Sequence, residues 1–176
     1  MRIALLSDTH SYMDQDILDL LEGCDEVWHA GDIGSLRVTE QLAEILPVRA
    51  VYGNIDDHKI RQVYPRDLIF TVDEVKVWMT HIGAYPPRYH KAIRPRLDEI
   101  QPDLFICGHS HIPRVIYDKE RSCLHMNPGA CGRHGFHKIR TMLRFDIEGD
   151  RVHSAQVIEL GSRSAQAGSA LDRSPL

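Results

Sequence analysis

The chain has 176 residues, 43% of them hydrophobic and 26% charged, which suits one globular domain with a sizeable core and excludes a collagen, a coiled coil and a wholly disordered chain. A formal net charge of −4 gives no general electrostatic reason to expect nucleic acid or an anionic membrane surface as partner. The early apolar run Ile3 to Leu6 is far shorter than a signal-peptide core or a membrane span, and the four cysteines form no CxxC pair, so they read as reduced thiols of a cytoplasmic protein.

Arg2 to Ser7 reads as a buried strand whose carboxyl end carries Asp8-Thr9-His10. Met13, Ile17, Leu20 and Leu21 follow at helical spacing until Gly23, and Glu26 to His29 returns as a strand ending in Ala30-Gly31-Asp32. A second helix starts at Ser35, with Val38, Leu42, Ile45 and Leu46 on one face before Pro47, and Val48 to Tyr52 is a third strand. This β-α-β-α-β order argues for a parallel sheet with ligand sites outside the carboxyl ends of its strands.

Leu68 to Val72 and Val75 to Thr80 form a predicted hairpin that runs into His81. A helical stretch over Tyr89 to Ile100 is expected to kink or restart at Pro95, and Leu104 to Cys107 is a buried strand ending in Gly108-His109-Ser110-His111. Strand-like pieces at Arg114 to Tyr117, Ser122 to Met126, Thr141 to Ile147 and Arg151 to Leu160 make the second half mostly hairpin β. The expected fold class is α/β, two sheets packed face to face with helices outside, in one domain over 1–160; residues 161–176, poor in large apolar side chains, are expected to form a mobile tail.

Chemistry concentrates in an ordered series: Asp8-x-His10, Gly31-Asp32, Gly53-Asn54, His81 and Gly108-His109-Ser110-His111, each just after a predicted strand. Asp-x-His or His-x-His alone is a weak signal, since a strand-end Asp commonly caps a turn, although two residues apart on an extended segment can point the same way. Together the set offers carboxylates, an amide oxygen and imidazoles without a thiolate, which suits divalent Mn, Fe, Co, Ni or Zn better than a structural Cys-rich zinc site. Asp8, His10, Asp32, Asn54, His81, His109 and His111 are too many ligands for one ion and suit two ions sharing a carboxylate.

On these motifs the sequence resembles the calcineurin-like metallophosphoesterase superfamily, in particular its small bacterial and archaeal phosphodiesterase branch, over roughly Arg2 to Leu160. The resemblance implies a four-layer α/β/β/α sandwich with two mixed sheets. It implies that Asp8, His10, Asp32 and His111 hold one metal and Asp32, Asn54, His81 and His109 a second, with Asp32 as the bridge. Manganese comes first among the metals, with nickel, cobalt, iron or zinc as alternatives. The implied activity is a metal-dependent phosphodiesterase that breaks P–O bonds by attack of a metal-bridging hydroxide, on a small phosphodiester or phosphomonoester. The Asn127-Pro128-Gly129 turn resembles the family's late loop near the metals.

The run Gly53-Asn54-Ile55-Asp56 lacks the His that follows this Asn in many larger members, so the donor of the leaving group's proton is open; Asp56, His58 and His137 are the nearest candidates. Gly31-Asp32 is followed by Ile33-Gly34-Ser35, unlike the motif of protein Ser/Thr phosphatases. Asn54, Arg133 and His137 are candidate substrate contacts, although a solvated loop is the simpler reading of the basic run 133–138. Cys131, near that loop, is a candidate for oxidation. The alternative function is a non-catalytic metal-binding scaffold of the same fold that binds a protein partner, as the retromer subunit resembling these enzymes does. An exposed strand edge would also permit a homo-oligomer.

Overall fold

The computed structural model describes residues 1–164. Two five-stranded sheets pack face to face. The first has the order β12-β11-β1-β2-β3, with β1 (Arg2–Leu6), β2 (Glu26–His29) and β3 (Val48–Ala50) parallel, and β11 (Ile139–Glu148) and β12 (Arg151–Ser162) antiparallel. The second has the order β4-β5-β8-β10-β9, in which β5 (Val75–Thr80), β8 (Leu104–Ile106) and β10 (Cys123–Pro128) are parallel, flanked by antiparallel β4 (Asp67–Val72) and β9 (Pro113–Asp118).

The unbroken apolar runs follow from burial on both faces, with successive side chains alternating across the pleat. Ile3, Leu5 and Trp28 meet Val77, Met79, Leu104 and Ile106 between the sheets. Ala4, Leu6 and Val27 turn the other way, against α1 (Gln15–Asp19), α2 (Leu36–Ala43) and α3 (His58–Val63) through Ile17, Val38, Leu42 and Ile60. Trp78 and Phe105 cover the outer face of the second sheet against α4 (Arg94–Ile100), which contributes Leu97. The result is the expected α/β/β/α sandwich.

Several elements differ from the sequence reading. The helix expected from Tyr89 starts only at Arg94, with Pro95 in its first turn, where the missing N–H costs nothing. Ahead of it Ala84–Tyr85 (β6) and Arg88–Tyr89 (β7) pair as a small ribbon. Helix α3 was not anticipated: Asp57 caps it through the Ile60 N–H (3.1 Å), but only Ile60 on it is buried, too little for an apolar stripe. The tail expected from residue 161 begins inside β12, which continues to Ser162; residues 165–176 lie outside the described part.

No helix among the described residues is long and apolar enough to cross a membrane. All four cysteines are free and buried. Burial pushes the Cys131 thiol up to about 12, and the thiol donates to the Thr141 carbonyl (3.1 Å), which removes it as an oxidation-prone nucleophile.

Candidate metal centre

The carboxyl ends of β1, β2, β5 and β8 converge at one edge of the sandwich, and the loops leaving them carry the polar series. Two groups of ligand atoms form there, Asp8 with His10 and His111, and Asp32 with His81 and His109, the atoms of each group lying within 4.8 Å of one another. Asp32 faces both groups with separate oxygens: Oδ1 is 3.2 Å from His81 Nε2, and Oδ2 is 3.6 Å from His10 Nε2. Asp8 Oδ1 lies 3.1 Å from His111 Nε2 and 3.9 Å from His81 Nε2.

The backbone between these residues is not extended, as the two-residue spacing had suggested. Asp8, His10, Asp32, His109 and His111 all have φ between +48° and +67°, the left-handed region that non-glycine residues seldom occupy. Neighbouring loops hold them there. The Gly132 N–H donates to the Asp8 carbonyl (3.1 Å) and the His10 N–H to the Asp32 carbonyl (3.0 Å), while Asp8 Oδ2 accepts the His109 N–H (3.0 Å). Buried Asn127 donates to the Gly108 carbonyl (2.8 Å) and to Ser110 Oγ (3.2 Å), so the late turn braces the His109–His111 loop. Gly53 must be glycine because a Cβ there would run into the backbone and carboxylate of Asp32.

Hydrogen bonding sets which ring nitrogens are available. His81 Nδ1 lies 2.8 Å from the Ala30 carbonyl, which only accepts, so the neutral ring keeps its proton on this nitrogen and turns the Nε2 lone pair toward Asp32. His137 Nε2 donates to the Gly132 carbonyl (3.0 Å); its Nδ1 then accepts from His111 Nδ1 (3.2 Å), leaving His111 Nε2 bare toward Asp8. His29, fully buried beneath the loops, accepts the Gly31 N–H (3.2 Å) on Nδ1 and donates through Nε2 to Thr9 Oγ1 (2.9 Å); burial lowers it to about 4 and keeps it neutral.

Lone pairs thus face lone pairs. Asp8 Oδ1, His10 Nε2 and His81 Nε2 are buried without a hydrogen-bond partner, and such orphans are costly unless a cation lies among them. Burial alone would raise the Asp32 carboxyl, but His81, the Ile55 amide and His10 together hold it below the usual carboxylate range. Burial likewise works against a charged His81, and the two carboxylates overcome it and raise its pKa, so that a proton and a metal ion compete for the same Nε2 lone pair. Burial lowers His10 and His109, which favours the neutral form that ligates metal. The donor set, nitrogen and oxygen only with paired carboxylates, fits divalent transition metals.

A cavity of about 430 Å³ opens over this cluster, lined by His10, Asp32, Asn54, His109 and His111 and walled by residues 134–137. Exposed Asn54 lines it and also a second cavity beside His81. Three of the candidate residues, Asp56, His58 and Arg133, lie outside the lining of both cavities. Asp56 does not face a leaving group: its carboxylate is buried and accepts the amides of Ile33 (3.1 Å), Gly34 (2.7 Å) and Gly53 (2.7 Å), tying the Asp32 and Asn54 loops together. His58 opens α3, exposed, and lines neither cavity. Arg133 turns from the cavity to stack on Tyr12 (4.8 Å) and donate to the Arg163 carbonyl (3.3 Å). His137 does line the cavity, but both ring nitrogens are engaged.

The sequence reading held His134 only as a member of the basic run 133–138, and its ring lies 4.7 Å from that of His10; it missed Arg163, which donates to the carbonyls of His137 (2.8 Å) and Arg133 (3.3 Å) and pins the cavity wall to the end of β12. No motif marks Arg163; only the antiparallel return of β12 beside β11 brings it there.

The profile of the calcineurin-like phosphoesterase superfamily domain matches residues 1–150. The chain belongs to this superfamily. Among curated calcineurin-like relatives, a "Probable metallophosphoesterase" of Methanothermobacter thermautotrophicus is 31% identical over 135 residues, covering 74% of this chain and 77% of its own length. Among solved structures, one described as a novel archaeal phosphodiesterase aligns with a TM-score of 0.71 at 22% identity, over 90% of this chain and 100% of that one. Vps29 of Entamoeba histolytica complexed with Zn aligns with a TM-score of 0.72 at 16% identity, over 92% and 99%. At these identities the two structures establish a shared metallophosphoesterase fold.

Proposed function

We propose that the chain is a dinuclear metal-dependent phosphodiesterase. The observation that carries this reading is the pair of ligand clusters joined by one carboxylate, with the unpartnered imidazole nitrogens of His10 and His81 and the unpartnered Oδ1 of Asp8 among them. Asp8, His10, Asp32 and His111 would hold one ion, and Asp32, Asn54, His81 and His109 the other. Manganese is the first candidate. Two such ions supply a nucleophile from water near neutral pH and neutralise charge on phosphoryl oxygens.

The residues of the chain do the rest. Two aspartates leave a dinuclear centre with net positive charge, which draws in a phosphodiester monoanion. Ala30, through its carbonyl, and His137, through its ring, hold His81 and His111 in the tautomer that offers Nε2 inward. Exposed Asn54 lines both cavities, and a phosphoryl group bound at the metals would lie within its reach.

The test is hydrolysis of bis-p-nitrophenyl phosphate against p-nitrophenyl phosphate by metal-stripped protein, titrated separately with Mn, Ni, Co, Zn and Mg. Diester turnover restored only by transition metal, and lowered at least about a hundredfold in Asp32→Ala, is expected. Equal turnover in Asp32→Ala would reject the site.

A second reading, a metal-binding scaffold for a protein partner, is favoured by Ile55, Ile112 and Phe136, apolar side chains that stand exposed around the main cavity. Protein loaded with two ions, silent toward diesters and monoesters alike and stably bound to a partner, would reverse the order.

A further inference from the structure

The cavity beside His81, of about 250 Å³, is lined by Tyr52, Asn54, Arg61, Arg66, Thr80 and Ile82, together with His81 and Gly53. No acidic side chain lines it, so its two guanidinium groups are not neutralised locally. Arg61 is partly committed: Nε donates to the Asp56 carbonyl (2.7 Å), one Nη to the Asn54 carbonyl (3.2 Å), and the guanidinium stacks on Tyr52 (5.0 Å). These contacts fix its position and leave its other Nη without a partner among the described residues. Arg66 has no side-chain hydrogen bond or ion pair among the described residues, while its backbone is anchored by the Thr80 hydroxyl on its carbonyl (3.5 Å) and by the neighbouring bond from Tyr52 N–H to the Pro65 carbonyl (3.0 Å).

His81 and Asn54 belong both to this wall and to the proposed metal centre. A substrate with its scissile phosphorus at the metals would therefore reach the arginines with one of its ester arms. Planar guanidinium groups match oxyanions in two-point contacts, and a neutral arm would leave both unpaired. We propose that the Arg61–Arg66 cavity is a second anion subsite, and that preferred substrates are phosphodiesters with an additional oxyanion, phosphoryl or carboxylate, on the retained arm. This rests on the phosphodiesterase reading above and adds a substrate class to it.

The test compares ethyl, carboxymethyl and 2-(phosphonooxy)ethyl p-nitrophenyl phosphate, which release the same p-nitrophenolate. In the metal-loaded wild type kcat/KM is expected to be about tenfold or more higher for an anionic arm, mainly through KM, the size of a charge-assisted hydrogen bond. The two anionic arms distinguish phosphoryl from carboxylate. The ratio of anionic to ethyl ester should fall toward one in Arg66→Ala, invert in Arg66→Glu and be partly restored in Arg66→Lys. Hydrolysis of all three esters with a ratio near one in the wild type, or a preference indifferent to Arg66, would overturn the subsite while leaving the phosphodiesterase reading intact.

If no ester is turned over, that reading fails separately and binding decides the subsite. Inorganic phosphate titrated into metal-free protein should then give saturable amide shifts at Tyr52, Thr80 and Ile82 in wild type and none in Arg66→Ala. Absence of saturation in the wild type would overturn the proposal.

Discussion

The left-handed backbone at Asp8, His10, Asp32, His109 and His111 is a local cost that the loops around it sustain. It turns side chains of one loop toward a common point at a spacing that an extended strand end does not give. Replacing Asp32 by alanine removes the carboxylate and keeps a Cβ in a strained conformation, whereas glycine removes both. Asp32→Gly is therefore expected to be more stable than Asp32→Ala by about 1 kcal/mol in denaturant unfolding of the metal-free proteins; equal stabilities would show that the loop relaxes. The His137 to His111 hydrogen bond gives a second expectation at this scale. His137→Ala should weaken the ion held by Asp8, His10 and His111 by about ten- to a hundredfold in calorimetric titration, with a smaller effect at the other site. Equal weakening at both sites would point to collapse of the wall instead of a lost orienting bond.

Among the elements, β10 carries the least expected burden. His125 on it is buried against Tyr89 and Phe105, and neither ring nitrogen has a partner. Burial, helped by Arg114 and opposed by Asp118, lowers it to about 4. The unfolded chain, with His near 6.5, then binds more protons than the folded one between about pH 4 and 6.5, so stability falls as pH drops through that window, by about 3 kcal/mol for this group. His125→Leu should flatten that part of the stability curve and cost little or nothing at pH 7, since an apolar side chain loses no hydrogen bond there. An unchanged acid slope in urea unfolding between pH 6.5 and 4.5 would assign the loss elsewhere. The elements that positioned the site were legible because runs such as Ile3 to Leu6 and Leu104 to Cys107 are apolar on both faces and break sharply into polar motifs. The β6–β7 ribbon and α3 were not, because each buries too few side chains to leave a period: Tyr89 in one and Ile60 in the other. The bracing contacts of Asp56 were not legible for a related reason, since they involve three amides, two of them from the Asp32 loop.

Across the whole molecule, the first sheet contributes Asp8, His10 and Asp32 and the second contributes His81, His109 and His111. Ions held in common would clamp one sheet to the other at the open end of the sandwich. Metal at about a hundredfold excess over Kd should add about 2.7 kcal/mol for each ion bound, or about 5–10 °C in Tm per ion for a chain of this size, and EDTA should remove it. Calorimetry of wild type and Asp32→Ala with and without Mn checks this, and an equal gain in the variant would place the ions elsewhere. The constellation of ligands was legible as a list, because each motif stands at a strand end. Their partition between two clusters was not, because it depends on how two sheets assembled from interleaved parts of the chain meet.

That interleaving bears on how the protein is made. Strand β1 is an interior strand, with β2 on one side and, on the other, β11, whose Asp146 pairs with Arg2 and whose Phe145 pairs with Ile3. The loop bearing Asp8 is also held by the Cys131 and Gly132 amides, bonded to the Ser7 and Asp8 carbonyls. During synthesis β1 must wait for most of the domain before its sheet can close, so few of the contacts that shape the site are local in sequence and folding is expected to be slow. Until β11 arrives, the nascent domain carries exposed strand edges and an incomplete ligand set, and the interval in which it needs protection from aggregation spans the synthesis of most of the domain.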